Sequence, residues 1–496
     1  MSTAADRAIK SLFSNYLHLI SGNILIQSAI GFLTLLLIVR VLQPDNYGVY
    51  VLFGAVGAIA AILTTWTSAS IVRFGREEFI AEGSVKKTFW ANYAIILPAF
   101  ALCFLLLFIF RATLTRYIGI SESFYYLIFA FILVTNLSGN IPVAFQAMGR
   151  IKPFTYLPQI SNGIWLVVLA VIYFQAIAVS VELLISILIS THLFVVVFGL
   201  WLLRKDILPL YVSKEWLKKC FKYSYPLAFG NVGTAIIGNV DQILIGIFMP
   251  VVFVGIYNIA YKIQDYIFGL PNLSRSLMFP LMTSLVVTGQ TEKINRYMKS
   301  YVPQIVFFWS LILSLFMVFG REIMLIFGQD YVAAFLPFSI LLAASGLRIF
   351  YVIESPILSS HSLTKEIAGM AIATAIINLG LDYLLIPIMG ISGAAVATSI
   401  SLVVIVIMRS FVVKRKTGIN DFVNYPWIFP ALLSLGAIFI DSLPSRSILL
   451  LAVVIVSLLV AKKSAIFNRD SLTIMDTIDM PVYVRRTVKA VYSLLI

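Results

Sequence analysis

Unbroken apolar runs of about twenty residues, separated by short polar stretches, recur along almost the whole chain. A bilayer core about 30 Å thick is crossed by about 20 helical residues at about 1.5 Å rise each. The runs therefore predict membrane-spanning helices near 16–39, 48–72, 88–110, 124–147, 154–174 and 181–203. A second series is predicted near 224–248, 253–275, 301–320, 335–357, 366–387 and 392–410, and two shorter spans near 426–441 and 446–461. The alternating ten-residue segments of a β-barrel do not occur. The expected fold is an all-α polytopic membrane protein of about fourteen transmembrane helices. No cleavable signal peptide is expected, because the first run is too long and lacks a small-residue cleavage site. It reads as a signal anchor.

Composition agrees. Hydrophobic residues make up 60% of the 496 and charged residues 12%, with a mean hydropathy of +0.99. Soluble domains carry roughly 45–50% and about 25%, so water cannot be the solvent. The formal charge of +14 would suggest nucleic acid only if it formed a solvated patch. Instead it follows the loops. With a cytoplasmic amino terminus, the inner segments hold Arg73, Arg76, Lys86 and Lys87, the lysines and arginines of 204–222, and Lys293 to Lys299. Arg409 with Lys414 to Lys416, and the basic tail, continue the series. The outer segments hold only Arg40, Arg111, Arg116, Arg321 and Arg446. This positive-inside asymmetry predicts both termini in the cytoplasm and contact with anionic membrane lipids, and leaves no case for a nucleic-acid partner. Cys103 and Cys220 suggest neither a disulfide nor a metal site.

The charged segment 204–222 divides the chain, and the two sides resemble one another. Gly22-Asn23 leads to Pro44 and Tyr47-Gly48-Val49-Tyr50; Gly230-Asn231 leads to Pro250 and Val254-Gly255-Ile256-Tyr257. Parallel repeats about an axis along the membrane normal are implied, with chance likeness between apolar segments as the alternative. The expected organisation is a six-helix lobe over 1–203, a cytoplasmic linker over 204–222, a second six-helix lobe over 223–412, two extra helices over 413–461, and a basic tail over 462–496. An interfacial helix over Val482–Ile496 is one reading of that tail. Pro98, Pro142, Pro158, Pro226, Pro271, Pro337 and Pro356 fall inside predicted spans, as hinges or as static kinks.

A charge at mid-membrane costs about 2.5–3.5 kcal/mol on insertion scales, so each needs a reason. His192, the one deep ionisable group of the first six spans, reads as a packed polar residue. The second half holds Asp241, Lys262, Asp265, Arg348, Glu354 and Asp382, with Arg275 near an inner end. Lys262 is roughly 13 Å into its helix, and it and Arg348 are the leading candidates to grip a phosphate in low dielectric. Internal pairing of Lys262 with Asp265, three residues on, is the competing reading. Asp241, Asp265, Glu354 and Asp382 are candidates for a coupling ion, or partners of a cation. Arg40 and Arg73 flank the ends of the first two spans and complete the substrate-binding candidates with Lys262, Arg275 and Arg348.

Several stretches resemble a known family. Arg40-Val41-Leu42-Gln43-Pro44-Asp45-Asn46-Tyr47-Gly48 is similar to the "RxLGPxxYG" turn of polysaccharide flippases, with Gln43 where glycine is usual. Ala69 to Phe74 resembles their "aivRf" ending of helix 2. Asp241 to Gly246, followed by Gly255 to Lys262, resembles "DxxxxG…GxYxxAyk". Phe327 to Tyr331 and Ile386 to Ala395 resemble two further landmarks. The family is the polysaccharide-transport (Wzx-type) branch of the MOP superfamily, which also holds MATE exporters and MurJ lipid II flippases. The resemblance implies a two-lobed, MATE-like bundle in the cell inner membrane that alternates between inward and outward states. It implies flipping of an undecaprenyl-diphosphate-linked oligosaccharide, an O-antigen type repeat unit, from the cytoplasmic to the outer leaflet. An H+ or Na+ gradient would drive it, a polysaccharide polymerase machinery is an expected partner, and no cofactor is implied. A MATE-like exporter of drugs or metabolites is the alternative. A membrane-embedded glycan-processing enzyme fits less well, since the outer loops are short and show no paired carboxylate or Ser/His arrangement. Direct ATP hydrolysis lacks a nucleotide-binding motif.

Overall fold

The computed structural model describes residues 26–118, 123–464 and 466–467, and among these every regular element is helical. The beginning of the first predicted span and the tail helix over Val482–Ile496 lie outside the described residues. In order the chain forms α1 (Gln27–Thr65), α2 (Ser68–Glu82), α3 (Lys86–Ile109), α4 (Arg111–Ile118), α5 (Ser123–Ala147), α6 (Ile151–Phe174), α7 (Val181–Ile207) and α8 (Lys214–Phe248). Then come α9 (Val252–Val287), α10 (Thr291–Ser300), α11 (Val302–Val318), α12 (Gly320–Phe327) and α13 (Phe335–Ser360). The series closes with α14 (Thr364–Met389), α15 (Ile391–Thr417), α16 (Phe429–Ser434) and α17 (Leu443–Lys463).

Eleven helical segments of the described residues are long and apolar enough to cross a bilayer. The first, Gln27–Glu82, runs for 56 residues and takes in most of the first two predicted spans. Helices α8 and α9 occupy the predicted seventh and eighth. The short span near 426–441 is less regular than its neighbours: a 3-10 turn over Phe422–Ile428, then α16, then a 3-10 turn over Leu435–Phe439. Pro426 and Pro430 remove the backbone donors a continuous α-helix needs there. Pro337 lies in the first turn of α13, where proline costs no hydrogen bond, so it is not the interior kink its position in a predicted span suggests. Ends follow local chemistry. Ser180, Ser213 and Ser442 cap α7, α8 and α17 through their hydroxyls, and basic side chains close α7, α15 and α17, where the helix dipole favours cations.

The chain divides into two compact units, Met1–Ile259 with Leu379–Ile391, and Ala260–Asn378 with Ser392–Ile496. In the first, α1 packs against α6 and α8, α2 against α5, and α5 against α7. Helix α1 is interrupted at Gln43, whose φ of 59° and ψ of 170° precede Pro44. A second break follows at Trp66–Thr67, inside an apolar segment where lipid cannot satisfy freed carbonyls. Asparagines take over that role. Asn136 Nδ2 donates to Thr64 O at 2.8 Å, Asn92 Nδ2 donates to Thr67 O at 2.8 Å, and Thr67 Oγ1 returns a bond to Asn92 Oδ1 at 3.1 Å. Buried Glu78 accepts from the backbone N–H groups of Lys87 and Thr88 at 2.8 and 2.9 Å, placing an anion on the α3 amino terminus.

The repeated glycine-tyrosine landmarks meet inside this unit. A Cβ on Gly48 would lie 2.1 Å from the Val251 carbonyl oxygen, and one on Gly255 would lie 2.9 Å from Tyr47 Cδ1 and 3.1 Å from the Gly48 nitrogen. Only glycine permits this backbone approach. Tyr47 seals it by donating to Asn258 Oδ1 at 2.7 Å.

In the second unit, α11 packs against α13 and α16, and α16 against α17. Arg446, counted above as an outer-loop charge, is instead buried near the start of α17. It donates to Val318 O at 2.9 Å and pairs through both terminal nitrogens with Glu322 of α12. Arg321 is held by Asp441 at 3.2 Å. His192, in the first unit, contacts its own helix through Nδ1 and Leu188 O at 3.0 Å.

Gln43 is exposed and gains no packing for a backbone conformation that is nearly glycine-only and costs about 1–3 kcal/mol. Gln43→Gly is therefore expected to raise the melting temperature of the detergent-purified protein; a lowered midpoint would refute the strain. Glu322→Ala strands the buried Arg446 charge and is expected to cost about 3 kcal/mol. A Glu322→Leu/Arg446→Leu double variant should recover most of that loss in the same melting assay.

Candidate functional site

Two aspartates from distant stretches come together in the first unit. Asp241 of α8 is buried, and its Oδ2 accepts from Tyr257 OH at 2.6 Å. Asp382, from the part of α14 that belongs to this unit, is fully buried and within interaction range of Asp241. Neither of its carboxyl oxygens has a hydrogen-bond donor among the described residues. Two buried carboxyl groups side by side repel when both are ionised, so a proton or small cation between them is the natural counterweight. Tyr257 is the tyrosine of the second glycine-tyrosine landmark, so the contact that joins Gly255 to Gly48 also aims the hydroxyl at Asp241.

Arg40 and Arg73 are both exposed and rest on aromatic residues. Arg40 Nη1 donates to Tyr173 OH at 3.4 Å. The Arg73 guanidinium lies 4.8 Å from the Tyr223 ring centre and 5.4 Å from that of Phe74. Arg73 forms no ion pair with a carboxylate among the described residues.

In the second unit Asp265 pairs with Arg348 at 3.4 Å, not with Lys262. Arg348 lies 3.9 Å from the Phe268 ring centre, fixed by both contacts. Lys262 is exposed, and its ammonium forms no ion pair with any described residue.

Glu354 of α13 is fully buried, with its Oε2 3.5 Å from Nε of Arg409 of α15. Its other oxygen accepts from Ser410, whose hydroxyl also contacts Asp421 Oδ2 at 3.1 Å and the Tyr425 hydroxyl. Arg409 was counted above as a loop charge. The structure corrects this: it is 2% exposed and lies within α15. The apolar stretch Phe411-Val412-Val413 continues past it, and that continuation is the signal the loop count overlooked. Arg275 lies 5.9 Å from the ring centre of Tyr351, which Arg409 approaches at 4.2 Å. Glu354 is therefore the partner of a cation, whereas Asp382 is within interaction range of a second acid, Asp241.

Comparison with known proteins agrees with this architecture. The polysaccharide biosynthesis protein family matches residues 12–286. A probable low-salt glycan biosynthesis flippase, Agl15 of Haloferax volcanii, is 25% identical over 398 residues, covering 77% of this chain and 79% of that protein. Among solved structures, the inward closed conformation of the lipid II flippase MurJ superposes with a TM-score of 0.64 at 18% identity, over 90% of this chain and 99% of that one. An inward-facing multidrug resistance MATE transporter of the MOP superfamily gives 0.58 at 17% identity, over 82% and 95%. These structural likenesses carry the fold.

Tyr257→Phe removes a hydrogen bond to a buried carboxyl and is expected to cost about 1.5 kcal/mol. A double-mutant cycle with Asp241→Asn, read by thermal melting, should return a coupling of similar size; additive losses would dissolve the pair.

Proposed function

The chain belongs to the polysaccharide biosynthesis protein family, and from that premise we propose that it flips an undecaprenyl-diphosphate-linked oligosaccharide from the cytoplasmic to the outer leaflet by alternating access. It is a multi-span membrane protein and a flippase of glycan biosynthesis, not an enzyme; carrier, direction and driving force are the proposed parts. The lobes 1–203 and 223–412 rock about the headgroup while the polyprenyl tail stays in lipid. Both termini lie in the cytoplasm.

The observation that carries the reading is Lys262, a cation in α9, at the predicted eighth span, with no counter-ion among the described residues. Uncompensated charge in such a place is costly unless an anion visits. A diphosphate is that anion, and Arg348, in the same unit as Lys262, adds a further donor for it, while Arg40 and Arg73 are separate substrate-binding candidates of the first unit. Asp265 holds Arg348 in place. The Asp241–Asp382 pair takes up the coupling H+ or Na+, and Glu354 is assigned to Arg409 instead. A MATE-like exporter is the second reading, supported by Asp241 in the seventh predicted span; altered drug resistance with unchanged glycan export would favour it.

Depletion of the protein in cells is expected to strand lipid-linked sugar on the cytoplasmic face, detected by the inaccessibility of its glycan to an external lectin. Lys262→Gln with Arg348→Gln should reduce delivery at least tenfold in a correctly inserted protein. Unimpaired delivery by that double variant would remove both residues from the mechanism.

A further inference from the structure

A cavity of about 570 Å³ opens within the second unit, and Asn272, Arg275, Tyr351, Ser355, Ser359 and Arg409 line it. The chemistry of this lining is one-sided. Two guanidinium groups approach the same Tyr351 ring, Arg409 at 4.2 Å and Arg275 at 5.9 Å. The Ser359 hydroxyl and the Asn272 amide supply further donors, and no carboxylate lines the cavity among the described residues. Like charges brought this close in a low-dielectric setting repel, and the repulsion is relieved when an anion sits between them.

Arg409 itself is built in. It is 2% exposed, its Nη2 donates to Ser355 Oγ at 2.7 Å, and the Tyr351 ring covers one face of the guanidinium. Its Nε lies 3.5 Å from Glu354 Oε2 and makes no hydrogen bond among the described residues. Glu354 is engaged by Ser410, so it balances the charge of Arg409 without using up its donors. A buried guanidinium at the wall of a polar cavity and beside a second guanidinium is the arrangement that binds phosphate oxygens. The volume is within the roughly 300–1,000 Å³ of small-molecule sites, larger than a bare ion requires.

We propose that this cavity, lined by neither Lys262 nor Arg348, is a phosphate-class anion site in which Arg409 and Arg275 together hold the diphosphate of a lipid-linked sugar. The assignment of the anion to a lipid-linked donor rests on the flippase reading; the anion site does not. Arg409 supplies the fixed, buried donor, and exposed Arg275 closes over the anion from the opening.

The test is binding to the full-length protein in detergent, with inorganic pyrophosphate, farnesyl diphosphate and farnesol as probes in calorimetry. Both diphosphates should bind and farnesol should not. Arg275→Gln leaves no broken ion pair behind, and should weaken both diphosphates at least tenfold with an unchanged melting temperature. Arg409→Gln alone strands Glu354, so Glu354→Gln/Arg409→Gln is the matched variant, and it too should lose binding. Undiminished binding in both variants overturns the site. Tighter binding of farnesyl diphosphate than of pyrophosphate supports the lipid-linked source, whereas equal affinities retain the site and assign it to soluble phosphate compounds. Failure here with sugar-lipid still stranded on depletion removes only this site. Intact binding with no stranding on depletion removes only the flippase reading.

Discussion

Hydrocarbon offers no hydrogen bonds, and that single restriction shapes most of what the side chains do. A helix crossing a bilayer satisfies its own backbone, but a broken helix does not. Where α1 gives way to α2, the freed carbonyls of Thr64 and Thr67 are met by Asn136 and Asn92. The same rule governs charge. Arg446 finds Glu322, Arg409 finds Glu354, and Arg348 finds Asp265. Against this background of matched groups, the unmatched ones are informative: Lys262 without a counter-ion among the described residues, and Asp382 facing another acid.

The helical architecture is legible in the sequence because length and hydropathy act locally. Twenty consecutive apolar residues have few other options, and the positions of most spans follow. The segment near residues 426–441 resists such reading, since its two prolines change the type of helix without changing its hydropathy. The buried arginines resist it for a different reason. The loop count treats each arginine as a topological marker, yet Arg446 and Arg409 sit inside the protein with acids more than fifty residues away. No local pattern announces such a partner. Lys262 and Asp241 are visible as charges in apolar runs, whereas the meeting of Asp241 with Asp382 depends on the fold.

Gln43 shows how a departure from a family pattern becomes physical. The turn "RxLGPxxYG" usually places glycine there, and the observed φ and ψ are those that glycine adopts freely. The substitution leaves the turn in place, which indicates that Pro44 and the packing of Tyr47 and Gly48 hold the backbone firmly enough to carry the strain.

The contact of Tyr47 with Asn258 joins residues 211 positions apart. At about 5–20 residues per second, a ribosome needs roughly 10–40 s to make the second partner after the first. Throughout that interval the glycine notch at the first turn has nothing to fill it, and the Tyr47 hydroxyl has no asparagine to bind. The opening helices therefore reach the bilayer as an unfinished piece, and lipid or an insertion factor must cover the notch until the later helices arrive. Closure of this notch thus waits on synthesis, for a time written into the separation of Tyr47 from Asn258.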